Sequence, residues 1–97
     1  MSFNVSIDQE YVIRRINNWY IRANENKIYG MIEPFGINIP RQVSGYIVSY
    51  VDRHVLARIE CRLYALVLGN IEESFADRKE FFKEYLNHFV ADPNIVI

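Results

Sequence analysis

The sequence predicts an all-α fold with three helices at about 7–24, 41–68 and 71–90, joined by an ordered apolar crossover at 25–40. Three observations carry it. Apolar residues recur at alternating spacings of four and three in each segment, the signature of one helix face. Two capping-box patterns, Ser6 with Gln9 and Asn70 with Glu73, precede the first and third runs. Gly69 stands where the second run ends, as a helix C-terminus prefers.

In the first segment Val12, Ile16, Trp19 and Ala23 form the stripe, widened by Ile13 and Tyr20, and Asp8 suits the positive end of the helix dipole. The segment "NENKIYGMIEPFGINIP" contains two Gly and two Pro, so it is no regular helix. It is still apolar enough to pack on its neighbours, with a short extended piece at 28–32 or a hairpin around Pro34–Gly36.

The segment at 43–68 decides the class. In "VSGYIVSYVDRHVLARIECRLYALVL", the residues Val43, Ile47, Tyr50, His54, Ala57, Cys61, Tyr64 and Leu68 step 4-3-4-3-4-3-4, a heptad seam. Pro40 suits a first helical turn. The alternative is α+β with strands within 46–67, because Ile59, Cys61, Leu63, Ala65 and Val67 also alternate with Arg58, Glu60, Arg62 and Tyr64. The helix reading accounts for more residues. In the last segment Ile71, Phe75, Arg78, Phe82, Tyr85 and Phe89 repeat the 4-3 spacing, and the chain closes with the short apolar tail "ADPNIVI".

The 97 residues predict one domain, 1–97. A helix over 41–68 would be about 42 Å long at 1.5 Å per residue, longer than so small a domain. It would also carry two apolar stripes. A homodimer packed along the heptad seam is the expected remedy.

Composition is that of a globular chain: 51% hydrophobic, 14% aromatic and 24% charged, with a net charge of −1. That balance excludes a uniformly basic nucleic-acid binder. One cysteine excludes an internal disulfide framework. "MSFNVSIDQE" has neither a basic n-region nor an apolar h-region, and no apolar run approaches the ~18–20 residues of a membrane span. The expectation is a cytoplasmic protein without membrane contact.

Motifs that carry chemistry are missing from the sequence. There is no Gly-rich phosphate loop, no HExxH, no GxSxG and no paired-cysteine metal pattern. His54 and Cys61 share the expected helical face, but two residues do not make a zinc site, and neither His54 nor His88 has a local signature of a base for Cys61. No catalytic, cofactor or metal residue is assigned. Arg14, Arg15, Arg22, Lys27 and Arg41 gather in the first half, with Tyr11 and Tyr20 near them, as a candidate phosphate-contacting face. The expected function is a non-catalytic protein–protein interaction or regulatory module acting as a homodimer. The alternative is a nucleic-acid-binding protein that uses the Arg-rich first helix, doubled by dimer symmetry. An enzyme ranks third.

Overall fold

β-Branched and aromatic residues fill the chain up to Leu68, and long-range strand pairing overrides the helical spacing there. The computed structural model describes residues 12–33 and 39–91. The strands are β1 (Val12–Arg22), β2 (Lys27–Ile32), β3 (Arg41–Val51), β4 (His54–Ile59) and β5 (Arg62–Leu68). A 3₁₀ helix (Glu73–Arg78) and α1 (Lys79–Ala91) follow.

The strands form a closed barrel in sequence order. Each is antiparallel to the next, so with an odd number of strands the closing pair, β1 with β5, must run parallel. Its register is Val12↔Tyr64 to Ile16↔Leu68. Beyond β5 the chain stays beside β1: Gly69 N–H donates to Ile16 O at 2.8 Å, and Glu72 N–H to Trp19 O at 3.0 Å. Closure removes the free strand edges that an open sheet would present.

The all-α expectation is therefore overturned, and with it the helices at 7–24 and 41–68. Residues 12–22 are β1, and 41–68 are three strands joined by two tight turns. In both turns the two central residues lie at positive φ: Asp52 (51°) and Arg53 (64°), then Glu60 (52°) and Cys61 (67°). That is the type I′ pattern, whose twist matches antiparallel strands. The α+β alternative comes nearer, yet it too falls short, since β1 and β2 lie outside its 46–67 window. The third helix begins later than expected, as a 3₁₀ segment and then α1. The Ser6–Gln9 cap, Tyr11, the Pro34–Gly36 hairpin and the tail after Ala91 lie outside the described residues.

Two β-bulges explain why strands carried helical spacing. The β1–β2 register shifts between Asn17 and Tyr20, where Asn18 sits at φ 51°. The inward series Val12, Arg14, Ile16 thereby continues as Trp19 and Ile21, so Val12, Ile16 and Trp19 reproduce a 4-3 spacing. The β3–β4 register shifts between Ile47 and Ser49, moving the inward series from Ile47 to Tyr50. A bulge adds one residue and resets the side-chain phase. Opposite the first bulge, a Cβ on Gly30 would come within 2.7 Å of Ile16 Cγ1, so glycine makes room for the Ile16 side chain.

The core fills the barrel with Ile16, Trp19, Ile21, Ile28, Ile47, Val55, Ile59 and Leu66. Phe82 and Leu86 of α1 join it, and α1 packs against β3. Trp19 and Phe82 meet with centroids 5.8 Å apart and planes at 54°, and Trp19 Nε1–H donates to Gly69 O at 3.0 Å.

The heptad seam is not a helical dimer face. Val43, Ile47, Ala57 and Tyr64 are buried inside the barrel, and Tyr50 and Leu68 pack against the same core. His54 is half-buried at a strand end, and Cys61 is exposed in a turn.

Candidate functional site

Barrel strands alternate inward and outward residues, so register decides which outward side chains become neighbours. On β1 the outward set after the bulge is Tyr20 and Arg22. On β2 it is Lys27, Tyr29 and Met31, and on β3 it is Gln42, Ser44 and Tyr46. Pairing aligns Arg22 with Lys27, Lys27 with Tyr46, and Tyr46 with Arg58. One row across four strands therefore reads Arg22, Lys27, Tyr46, Arg58. The next row is Tyr20, Tyr29, Ser44.

The rings of the second row are stacked. Tyr20 lies between Tyr29, at 5.1 Å and 5°, and Phe75 of the 3₁₀ helix, at 4.8 Å and 11°. The Arg22 guanidinium sits 5.7 Å from the Tyr20 centroid and 5.4 Å from that of Tyr29, within cation–π range. Tyr29 O–H donates to Glu25 Oε1 at 2.6 Å, and that bond holds the phenol above its usual pKa. Tyr85 O–H donates to Asn26 Oδ1, linking α1 to the β1–β2 turn.

The first row is more open. Lys27 Nζ lies 4.6 Å from the centroid of Tyr46, and Tyr46 is 58% exposed. Between them and β4 is a cleft of about 320 Å³ lined by Lys27, Ser44, Tyr46, Arg58, Glu60 and Cys61. A Cβ on Gly45 would lie 2.6 Å from Ile59 Cγ1 and 2.8 Å from Arg58 O, so glycine lets β4 approach closely and fixes the cleft's floor. The cleft's one carboxylate, Glu60, is bound to Arg41 at 2.8 Å, which keeps that guanidinium protonated to higher pH. Among the described residues no carboxylate lies within ion-pair distance of Lys27 or Arg58.

Of the cations expected to share a face, Arg22 and Lys27 are register partners. Arg41 is committed to Glu60. Arg15 is the register partner of Val67, outside this row. Arg14 follows the inward phase and donates from Nη1 to Ile13 O at 2.8 Å. These residues stand on strands, so the expected helical face does not exist. Sequence reasoning missed Arg58 and Tyr46. Their strand alternation was visible, but only register joins them to residues from the first half of the chain.

A second surface lies on the outside of β3, β4 and β5. Leu56, Leu63 and Ala65 form a separate buried cluster with Val48 against it. Beside it a cleft of about 270 Å³ is lined by Ile13, Val51, Asp52, His54, Leu56 and Ala65, where Ile13 is 57% and Val51 44% exposed. His54 Nδ1 is 2.7 Å from Asp52 O, so the carbonyl fixes the proton on Nδ1.

Among the described residues no group of three His, Cys, Asp or Glu could hold a metal ion, and no helix is long and apolar enough to cross a membrane. Comparison with protein-family models, with curated proteins and with solved structures gives no match in any of the three.

Proposed function

We propose that the chain is a non-catalytic binding module that takes an anionic ligand on the outer face of β1–β4. The observation that carries this reading is the row in which Lys27 and Arg58 flank an exposed Tyr46 with no carboxylate paired to either cation among the described residues. Solvated surface cations gain little from isolated ion pairs. Cations held beside one another without counter-charges create a local positive potential that a net charge of −1 conceals.

The test is binding of fluorescein-labelled heparin followed by anisotropy as salt rises from about 50 to about 200 mM, because phosphate or sulfate contacts weaken as counterions compete. Binding that falls steeply with salt, and is lost in Lys27→Glu/Arg58→Glu with the fold intact by circular dichroism, is the expected result. Binding unchanged in that variant would refute the site.

A second reading, self-association as a homodimer, is favoured by the exposed Ile13 and Val51 beside the Leu56–Ala65 cluster. Outward apolar residues grouped on one barrel face are the usual mark of a contact surface. Light scattering that gives a dimer, converted to monomer by Ile13→Glu/Val51→Glu, would support it. A monomer for the unaltered chain would dismiss it.

A further inference from the structure

Resting on the anionic-ligand reading, we infer that the ligand of this face is a single-stranded nucleic acid, with a base stacked on Tyr46 and its flanking phosphates held by Lys27 and Arg58. Charge alone suits any polyanion. The ring narrows the choice. Tyr46 is the large aromatic side chain left open in the row, at 58% exposure, whereas Tyr20 and Tyr29 are occupied with each other, Phe75 and Arg22. Those stacked rings brace the row, and Tyr46 is the platform. Sequence-tolerant capture of single strands combines a cationic track with such rings, because every base has a π-face.

Lys27 supplies the exchange. Its ammonium now lies over Tyr46 at 4.6 Å. A phosphate beside the ring offers that ammonium a full charge in place of a quadrupole, and a base takes its position over the ring. Ser44, lining the same cleft, adds a hydroxyl within the reach of a sugar or phosphate oxygen.

The row also has the length of an oligomer. Arg22 to Arg58 spans three inter-strand steps, about 14–15 Å at the usual strand spacing, more than a mononucleotide covers. A duplex fits poorly. Its bases are stacked inward, and reading them takes a helix or a two-stranded ribbon that enters the groove. The row is a curved outer wall of a closed barrel, and nothing in it protrudes like that.

The experiment compares four fluorescein-labelled probes against the full chain: a dT oligomer of about 12 nucleotides, a duplex of the same length, heparin and a polyglutamate peptide, at about 50 mM salt. Preference for the dT oligomer over the other three is expected. Tyr46→Ala should weaken that probe on the order of 10-fold, and Tyr46→Phe should restore it, because stacking needs the ring and not the hydroxyl. Heparin binding should be little changed by either variant and lost in Lys27→Glu/Arg58→Glu. Equal binding of duplex or polyglutamate, or a Tyr46→Ala variant that binds dT normally, would overturn the single-strand inference while the anionic site stands. No binding of any probe would overturn both. Tyr46 is exposed, so its replacement leaves the core intact, and circular dichroism checks this directly.

Discussion

At the scale of single residues, several positions work against the fold they belong to. Asp52, Arg53, Glu60 and Cys61 occupy the left-handed region without being glycine or asparagine, where a Cβ crowds the backbone. Arg53→Gly should therefore raise stability by about 0.5–1 kcal/mol, relief of strain outweighing the added freedom of the unfolded chain. A higher denaturant midpoint at unchanged slope would show it. Ser49 is 1% exposed and its hydroxyl has no hydrogen-bond partner among the described residues. Ser49→Ala should leave stability equal or raise it by up to about 1 kcal/mol, since an unsatisfied buried hydroxyl is removed. A marked loss would mean that the hydroxyl is bonded in solution. The phenol of Tyr29 titrates above its usual value, first because it donates to Glu25 and then through burial. A phenol whose folded pKa exceeds its unfolded value near 10 stabilises the fold below that pH and loses the contribution as pH rises through the folded pKa. Glu25→Gln should bring one tyrosine's ionisation down toward the usual range in an ultraviolet titration. Tyr85, raised by its own burial, should titrate as before.

At the scale of elements, the bulges and glycines decide geometry. Gly45 lets β3 and β4 meet where a Cβ would strike Ile59 and the Arg58 carbonyl. Gly45→Ala should cost about 1–3 kcal/mol, because a backbone neighbour cannot step aside as a flexible side chain can. The same change should weaken anion binding, as it pushes Arg58 away from Tyr46. A thermal melt and the heparin titration on one sample would separate the two effects. Parts of the outward row were legible. Of the five cations grouped from the sequence, Arg14, Arg15, Arg22, Lys27 and Arg41, only Arg22 and Lys27 are register partners across the β1–β2 turn. Tyr46 and Arg58 were not grouped with them, because their place beside Lys27 depends on two further pairings with no local trace.

At the scale of the whole molecule, the barrel needs its closing pair and the side chains that α1 adds to its core. β1 and β5 are joined across some fifty residues of intervening chain, with Ile16 opposite Leu68, and α1 adds Phe82 and Leu86 to the core. Phe82 is 1% exposed and touches Trp19 and Phe75. Phe82→Ala should cost about 3–5 kcal/mol, a large share of the ~5–15 kcal/mol that holds a domain folded. A sharply lower melting temperature would confirm that α1 is part of the core. So many non-local contacts also place the chain among slowly folding β topologies. The dimer once expected from an overhanging helix has lost that basis, since the 41–68 segment folds back on itself twice. Self-association now rests on the apolar outer face around Ile13 and Val51 alone.

By itself the sequence determined that the chain is apolar enough to form a core and that a helix occupies part of the stretch expected at about 71–90, where α1 runs from Lys79 to Ala91. Of the eight residues in the 4-3 series, Val43, Ile47, Tyr50, Ala57, Tyr64 and Leu68 pack in or against the barrel core, while His54 stands at a strand end and Cys61 is exposed in a turn. Tertiary structure alone decided the class. Two bulges and two tight turns shift a period of two until it resembles 4-3 spacing, and the turns use Asp-Arg and Glu-Cys in place of the usual Asn-Gly or Asp-Gly. Periodicity reports which residues share a side only while the phase is unbroken. Once bulges break it, the choice between strand and helix falls to hydrogen bonds between distant segments, which no local stretch of sequence contains.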